Sequence, residues 1–431
     1  MKKSLTLLLA LGLATLSFGR VGPVSQYGQL QAGKNSSGQG RIFGSCPTYN
    51  GTPVQVKGMS LYWSLMDQAI EFWNADAIST MISDMNIQVI RAAMATGTED
   101  WGGPAKGYAM DPNTQKQLVN AVVQGAIDND IYVIIDWHSH EAETQTESAK
   151  SFFSEMAQKW GGYDNVIFEV FNEPKQQSWS TVKNYAEQVI QVIRQYSDNL
   201  VLVGNPRWSA TPNSAINNVV NDPGNNVAYT FHYYAMTHSP GTEGGNVSKA
   251  LSAGLPVFVS EWGTGTADGK GYPGQSENDS WQSFMDQNQL SWANWSASKI
   301  NEGTAAFSGG ASRYSLQYSS SGNLVKGYLA SNPTSYTACA GGSSDAIKRP
   351  AGWAPAGLSA TIHGNTLQVT VAKAGLVKVQ VFDMMGHTIE SHSESMAAGS
   401  FAHTFGSMGK GAYIVRVQQG SMAKTIRMQV R

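Results

Sequence analysis

Short apolar runs rich in Val, Ile and Phe alternate with amphipathic stretches along most of this chain. Eight such runs occupy residues 54–61, 89–94, 132–139, 166–174, 200–206, 227–235, 256–263 and 292–298. Continuous apolar runs that alternate with helices are typical of parallel strands buried on both faces. Eight such units predict the α/β class and, within it, a closed (β/α)8 TIM barrel.

The segment after the second run has the pattern of a helix, and the segment before the first run is expected to form a hairpin. Residues 113–130 predict a helix, because Leu118, Val122, Ala126 and Ile127 fall on one face at helical spacing. Residues 21–53 precede the first run and are expected to form an N-terminal hairpin that covers the barrel floor.

The hydrophobic pattern changes after residue 330. Residues 331–357 are rich in Ser, Gly, Ala and Pro and predict a linker. Residues 358–431 alternate apolar and polar positions, which predicts a small antiparallel β-sandwich. This segment carries seven Lys and Arg against three Asp and Glu, whereas the whole chain has a formal net charge of −2. The two parts therefore differ in surface charge.

The first nineteen residues have the order of a secretory signal. Lys2 and Lys3 precede a mostly apolar run at 5–16, and small residues around Gly19 close the segment. We therefore expect a signal peptide at 1–19, a barrel domain at 20–330 and an exported protein. No later run reaches the length of a membrane span, so we expect no span, and we expect a monomer.

Composition limits the classes of partner and cofactor that the protein is expected to bind. Charged residues make up only 14% of the chain, which argues against nucleic acid, whereas 12 Trp and 17 Tyr suit a neutral, hydroxyl-rich ligand. The two cysteines, Cys46 and Cys339, cannot build a zinc site by themselves but could form one disulfide. We expect that bond, because Cys339 follows the last barrel helix and Cys46 lies in the hairpin beneath the floor.

Two glutamates stand where barrel strands are predicted to end. Glu173 lies in Asn172-Glu173-Pro174 at the end of the fourth run, and Glu261 lies near the end of the seventh. Catalytic groups of such barrels gather at the carboxyl ends of the strands. Hydrolysis of a glycosidic bond needs two carboxyl groups, and a pair about 5 Å apart is typical of enzymes that retain anomeric configuration.

The barrel segment, from about residue 27 to residue 329, resembles glycoside hydrolase family five, particularly its bacterial endoglucanases. The resemblance rests on Gly58-Met59-Ser60, Arg91, Ile135-Asp136-Trp137-His138, Phe171-Asn172-Glu173-Pro174, His232-Tyr233-Tyr234, Ser260-Glu261-Trp262-Gly263 and Asn294-Trp295-Ser296. It implies a retaining endo-β-1,4-glucanase that acts on cellulose and related β-glucans without a cofactor. Glu173 would be the general acid/base and Glu261 the nucleophile.

The same resemblance implies roles for the neighbouring residues. Arg91 would keep Glu261 ionised and oriented, since a guanidinium lowers the pKa of a nearby carboxylate. Asn172 would bind the sugar 2-hydroxyl, and Tyr234 would donate to Glu261. His138 and His232 would line the cleft, and Trp295 would stack beneath a glucosyl unit.

Some positions depart from the family pattern. Trp63 follows the Gly-Met-Ser motif without the histidine that many of these endoglucanases carry. Lys299 and Glu302 follow the Asn-Trp-Ser motif, with the lysine one place early, and would contact a second glucose. Trp63 and Trp101 are expected at the cleft, whereas Trp73 begins a helix and is expected in the core.

Three alternatives remain open from the sequence. The same chemistry could act on mannan, xyloglucan or lichenan, because the fold does not settle the substrate. The motif His138-Ser139-His140 could bind a metal, although its place after the third run, rather than the first, argues against a metal site. A non-catalytic carbohydrate-binding protein would have no use for the paired carboxylates.

The C-terminal segment resembles the sorting domains of the type IX secretion route of Gram-negative bacteria. The resemblance lies in residues 379–386, 411–417 and the basic end 424–431. It implies contact with the outer-membrane secretion machinery and a surface-attached or released enzyme. A plain stabilising β-module is the alternative. The aromatic residues Phe382, Phe401, Phe405 and Tyr413 are spaced like core positions, which weakens a cellulose-binding role.

Overall fold

A computed structural model gives the structure of this chain. It describes residues 20–49, 51–339, 358–363, 366–371, 374–383, 387–397, 399–406, 408–409, 411–419 and 422–430. The predicted signal peptide at 1–19 and most of the predicted linker, residues 340–357, lie outside the described residues. The contacts divide the chain into two compact units, with the boundary between Pro350 and Ala351.

The first unit begins with the predicted hairpin. A short helix α1 (Pro23–Tyr27) leads into the antiparallel strands β1 (Leu30–Lys34) and β2 (Gly40–Gly44). Strand residues Leu30 and Ile42 are buried against the barrel.

Eight parallel strands close into a barrel, as the sequence predicts. They are β3 (Lys57–Leu61), β4 (Val89–Ala95), β5 (Tyr132–His138), β6 (Val166–Glu169), β7 (Val201–Val203), β8 (Val227–Tyr234), β9 (Val257–Gly263) and β10 (Trp292–Ala297). Each strand pairs with its neighbour in sequence, and β10 pairs with β3 to close the ring. Nearly all the strand residues are buried because the sheet is covered on both faces.

The fourth strand is shorter than predicted. The apolar run continues to residue 174, but β6 ends at Glu169. The chain beyond it crosses towards the end of β5, where the Asn172 and Glu173 amides donate to the Trp137 and Ser139 carbonyls at 3.4 and 3.2 Å. Glu173 therefore lies on a loop that is tied to β5.

The helices of the first unit cover the barrel. They are α2 (Asp67–Ile70), α3 (Ala75–Met85), α4 (Pro112–Asp128), α5 (Thr146–Trp160), α6 (Trp179–Ile193), α7 (Pro206–Ser209), α8 (Glu243–Ser252), α9 (Gln275–Gln287) and α10 (Ser320–Leu329). Side-chain oxygens of Asn74, Asp111, Ser178 and Ser319 cap the first turns of α3, α4, α6 and α10. No helix among the described residues is long and apolar enough to cross a membrane.

The barrel floor has its own apolar cluster. Val24, Leu30 and Ile42 of the N-terminal segment pack with residues at the starts of the strands, such as Val89 and Tyr132. The hairpin covers the amino ends of the strands, as predicted, and leaves the carboxyl ends available for a cleft.

Residues 331–339 belong to the first unit rather than to a free linker. The Thr337 amide donates to Gln26 at 2.9 Å, and the Cys339 amide donates to the Ser25 carbonyl at 2.8 Å. Cys46 and Cys339 form a disulfide with their Cα atoms 5.9 Å apart. The linker predicted from residue 331 therefore cannot begin before residue 340, because the segment ahead of it is bonded to the N-terminal region.

The second unit consists of two antiparallel sheets. Its strands are β11 (Leu358–His363), β12 (Thr366–Val371), β13 (Gly375–Phe382), β14 (Thr388–Met396), β15 (Gly399–Thr404), β16 (Gly411–Gln419) and β17 (Met422–Val430). The sheet orders are β11-β12-β15 and β14-β13-β16-β17. Phe405 is buried in its core, and Phe401 and Tyr413 pack against that core. These three aromatic side chains therefore do not form an exposed platform.

Removing the disulfide should destabilise the first unit without touching the cleft. The bond closes a separation of 293 residues, so the Cys46→Ser/Cys339→Ser variant should lose about 2 to 5 kcal/mol of unfolding free energy in denaturant titrations. Mass spectrometry of the native protein after alkylation should show no modified cysteine. Two alkylated thiols would contradict the bond.

Candidate active site

Glu173 and Glu261 face one cleft at the carboxyl ends of the barrel strands. Both line a cavity of about 320 Å³. Glu261 belongs to β9 and is almost fully buried, whereas the Glu173 side chain on the loop after β6 is 12% exposed. Oxygen atoms of the two carboxylates lie within 4.8 Å of each other. The two residues that the sequence singles out therefore form a close carboxylate pair.

Arg91 is fully buried beside Glu261. Its Nη1 donates to Glu261 Oε2 at 2.8 Å, its Nε to Glu169 at 2.7 Å, and its Nη2 to Asn172 Oδ1 at 2.6 Å. Asp136 lies 2.9 Å from the same Nη2. Burial alone would lower the pKa of Arg91, but the adjacent carboxylates outweigh it and raise that pKa. The guanidinium is therefore a fixed positive charge.

Glu261 is held at both oxygens. Arg91 donates to Oε2, and the Tyr234 hydroxyl donates to Oε1 at 2.8 Å. Burial, followed by the negative charge of Glu261, raises the pKa of Tyr234 well above its ordinary value, so the hydroxyl keeps its proton. These two donors fix the position of the Glu261 carboxylate.

His232 binds the other carboxylate. Its Nδ1 lies 2.9 Å from Glu173 Oε1, and its Nε2 lies 3.0 Å from the Ser260 hydroxyl. Burial opposes the charged imidazole, but Glu261, Glu169 and Glu173 outweigh burial and raise the pKa of His232 to about 9. At neutral pH the imidazolium donates from both nitrogens.

His138, unlike His232, is neutral. Burial and then the positive charge of Arg91 lower its pKa well below the ordinary value, so the ring is neutral. Its Nδ1 lies 2.7 Å from Asp136, which directs Nε2 away from that carboxylate. The ring stacks parallel to Trp295 at 5.3 Å and meets the edge of Trp63 at 4.4 Å.

Aromatic side chains form one wall of the cavity. Trp295 packs against Tyr62 at 5.0 Å, and Trp63 packs against Trp101 at 5.3 Å. Trp101 is 45% exposed beside the cleft. Trp73, by contrast, is buried and donates to the Tyr62 carbonyl, so the prediction that it belongs to the core is confirmed.

Of the two residues Lys299 and Glu302, only Glu302 lies at the cavity. Glu302 lines the cavity and accepts a hydrogen bond from the Tyr62 hydroxyl at 3.1 Å. Lys299 is not among the lining residues, since its ammonium group binds Glu71 and the Ala311 carbonyl. The expected contact of Lys299 with a second glucose stays a prediction, and it would require the ammonium to leave these partners.

Several residues of this site were not identified from the sequence. Trp208 lines the cavity and is 47% exposed, on a segment where Arg207, Trp208 and Ser209 all have left-handed backbone angles. The amide of Trp208 donates to the Pro174 carbonyl, which ties this segment to the Glu173 loop. Glu169 could have been found as a charged residue inside an apolar run, since such residues need a buried partner.

The metal alternative gains no support from the geometry. Glu173, His232 and Glu261 are the group of potential ligands found among the described residues, and neither His138 nor His140 belongs to it. Within that group His232 contacts Glu173, and Arg91 contacts Glu261 from outside the group. The His138-Ser139-His140 motif itself therefore does not form a cluster of potential metal ligands among the described residues.

The part of the chain that carries this site matches a known protein family. The model of the cellulase family, glycosyl hydrolase family 5, matches residues 48–301. Endoglucanase Z of Dickeya dadantii is 44% identical over 253 residues, which are 58% of this chain and 57% of that protein. An endoglucanase of Clostridium saccharobutylicum is 38% identical over 64% of this chain and 60% of its own length. The chain thus spans little more than half the length of these relatives.

Solved structures agree over the barrel. A GH5 cellulase from an Icelandic hot spring isolate is 32% identical with a TM-score of 0.64, covering 74% of this chain and 98% of that one. The catalytic domain of endoglucanase Cel5A from Thermobifida fusca is 29% identical with a TM-score of 0.62, covering 72% of this chain and all of that one. This chain belongs to the cellulase family, glycosyl hydrolase family 5.

Proposed function

We propose that this protein is a secreted, retaining endo-β-1,4-glucanase that cuts internal bonds of cellulose and related β-glucans. The carrying observation is the separation of the two carboxylates, whose oxygens lie within 4.8 Å of each other. Retaining pairs stand about 5 to 5.5 Å apart, whereas inverting pairs leave room for a water at about 6.5 to 9.5 Å. The relatives that carry the name endoglucanase favour β-glucan as the substrate.

In the first step Glu261 attacks the anomeric carbon while Glu173 protonates the leaving oxygen. Arg91 and Tyr234 each donate a hydrogen bond to Glu261 and hold the attacking carboxylate in place. The glycosyl-enzyme then forms on Glu261. In the second step Glu173, now ionised, takes a proton from water, which hydrolyses the intermediate with net retention.

Asn172 is the proposed partner of the sugar 2-hydroxyl. Arg91 occupies its Oδ1, which leaves the amide NH2 group as the remaining donor. A hydrogen bond to the 2-hydroxyl strengthens in the transition state. Trp295, backed by Tyr62 and His138, offers its face to a glucosyl ring.

Export is part of the proposal. Its support is the signal-like order of residues 1–19 and the Cys46–Cys339 disulfide, a bond that persists in oxidising compartments. The C-terminal unit would direct the enzyme through the outer membrane of a Gram-negative bacterium. The burial of its aromatic residues favours this sorting role over cellulose binding.

Substrate choice is tested by reducing-sugar release from carboxymethylcellulose, barley β-glucan and mannan side by side. We expect rapid release from carboxymethylcellulose and barley β-glucan and little from mannan. Mannan cut while carboxymethylcellulose stays intact would overturn the glucanase proposal, and no release from any polymer would favour a non-catalytic binder.

The two glutamates should differ in their response to azide. Glu261→Ala removes the nucleophile and should abolish cleavage of every substrate. Glu173→Ala should still form the glycosyl-enzyme from an aryl cellobioside whose leaving group needs no proton, and azide should restore turnover as the β-azide. Product identity by NMR is the measurement. A β-azide from Glu261→Ala instead would mean that the two roles are reversed.

Deleting residues 351–431 should leave activity on soluble β-glucan nearly intact, because the contact boundary lies between Pro350 and Ala351. The truncated enzyme should accumulate in the periplasm of its host, as measured by fractionation and activity. The full-length chain is the control. A truncated enzyme that reaches the medium but no longer binds insoluble cellulose would identify a substrate-binding unit.

A further inference from the structure

One buried carboxylate contacts the supports of both catalytic glutamates without lining the cleft. Glu169, at the end of β6, is fully buried and accepts a hydrogen bond from Arg91 Nε at 2.7 Å through Oε2. Its other oxygen, Oε1, accepts from the Ser260 hydroxyl at 2.5 Å and from Thr230 at 3.3 Å. Both carboxylate oxygens of Glu169 therefore accept hydrogen bonds inside the barrel.

Ser260 connects Glu169 to the acid/base side. The imidazolium Nε2 of His232 donates to the Ser260 oxygen at 3.0 Å, and the Ser260 hydroxyl donates onward to Glu169. At its other end His232 donates from Nδ1 to Glu173 at 2.9 Å. In this series of hydrogen bonds His232 donates to Ser260, and Ser260 donates to Glu169.

A bulge in β9 makes this connection possible. Thr230 pairs with Phe258 and His232 pairs with Glu261, so β9 carries one more residue than β8 over the same span. In a regular strand adjacent side chains point to opposite faces. The extra residue lets Ser260 and Glu261 both reach the barrel interior, where Ser260 meets Glu169 and Glu261 meets Arg91.

Charge explains why the position requires a carboxylate. His232 is buried and bears a positive charge, and Glu169 Oε1 lies 3.8 Å from its Nε2. Arg91 holds the pKa of Glu169 at about 2 although burial opposes ionisation, and the nearby positive charge of His232 adds to the effect. Glu169 is thus a permanent anion between two cations, and its loss would leave both undercompensated.

We propose that Glu169 is a positioning residue for both halves of the reaction, acting on Glu173 through Ser260 and His232 and on Glu261 through Arg91. This inference rests on the roles proposed for Glu173 and Glu261. Glu169 does not line the cavity, so its effect must pass through two arms that can be separated: the first runs to Glu173 through Ser260 and His232, and the second runs to Glu261 through Arg91. Ser260→Ala cuts only the first, whereas Glu169→Gln weakens both while keeping the side-chain volume.

Leaving-group dependence distinguishes the arms. Phenyl β-cellobioside needs a proton from Glu173, whereas 2,4-dinitrophenyl β-cellobioside does not. We expect Ser260→Ala to lower kcat/KM by about 10-fold or more for the phenyl substrate and by less than about 2-fold for the dinitrophenyl substrate. Glu169→Gln should lower both. Thr230→Val, which removes the long third contact to Glu169, is the matched control and should resemble wild type.

A second measurement needs no substrate. Nitrogen-15 NMR of histidine-labelled protein should show the pKa of His232 near 9 in the wild type and clearly lower in Glu169→Gln. An unchanged His232 titration, or an equal loss of kcat/KM on both substrates in Ser260→Ala, would overturn the proposal. A wild type that cleaves no β-glucoside would refute the proposed function alone, since the NMR titration still decides the role of Glu169.

Discussion

The buried guanidinium of Arg91 is the constraint on which the site depends. A charge in the barrel interior is costly unless it is paired and hydrogen-bonded on all sides. Arg91 meets this condition by contacts with Asp136, Glu169 and Glu261, which come from three different strands. The orientation of Glu261 is therefore coupled to the packing of the whole barrel mouth.

Two carboxylates a short distance apart have acquired different surroundings. Glu261 is nearly buried, and its two oxygens accept hydrogen bonds from Arg91 and Tyr234. Glu173 stands on a loop, is partly exposed, and contacts His232. The difference between an anchored carboxylate and a more accessible one matches the proposed division between a nucleophile and a residue that exchanges protons with leaving group and water.

Two histidines in one cleft illustrate how neighbours set charge. His138 stands beside Arg91 and is neutral, whereas His232 stands among carboxylates and is charged. Burial disfavours the charged form of both; the positive charge of Arg91 adds to burial at His138, whereas Glu261, Glu169 and Glu173 outweigh burial at His232. The neutral ring can stack on Trp295 in the aromatic wall, while the charged ring joins the hydrogen-bonded chain to Glu169.

The sequence by itself determined the barrel, because eight apolar runs of strand length need no long-range information to be recognised. It also determined Glu173 and Glu261 as the candidate pair, since a carboxylate at a predicted strand end stands out. Tertiary structure alone decided the rest. The bulge that turns Ser260 inward, the pairing of Lys299 with Glu71 and the central place of Glu169 depend on contacts between residues distant in sequence. The alternation of side chains between the two faces of one strand carries no information about such contacts, because the contacts form only when the barrel closes.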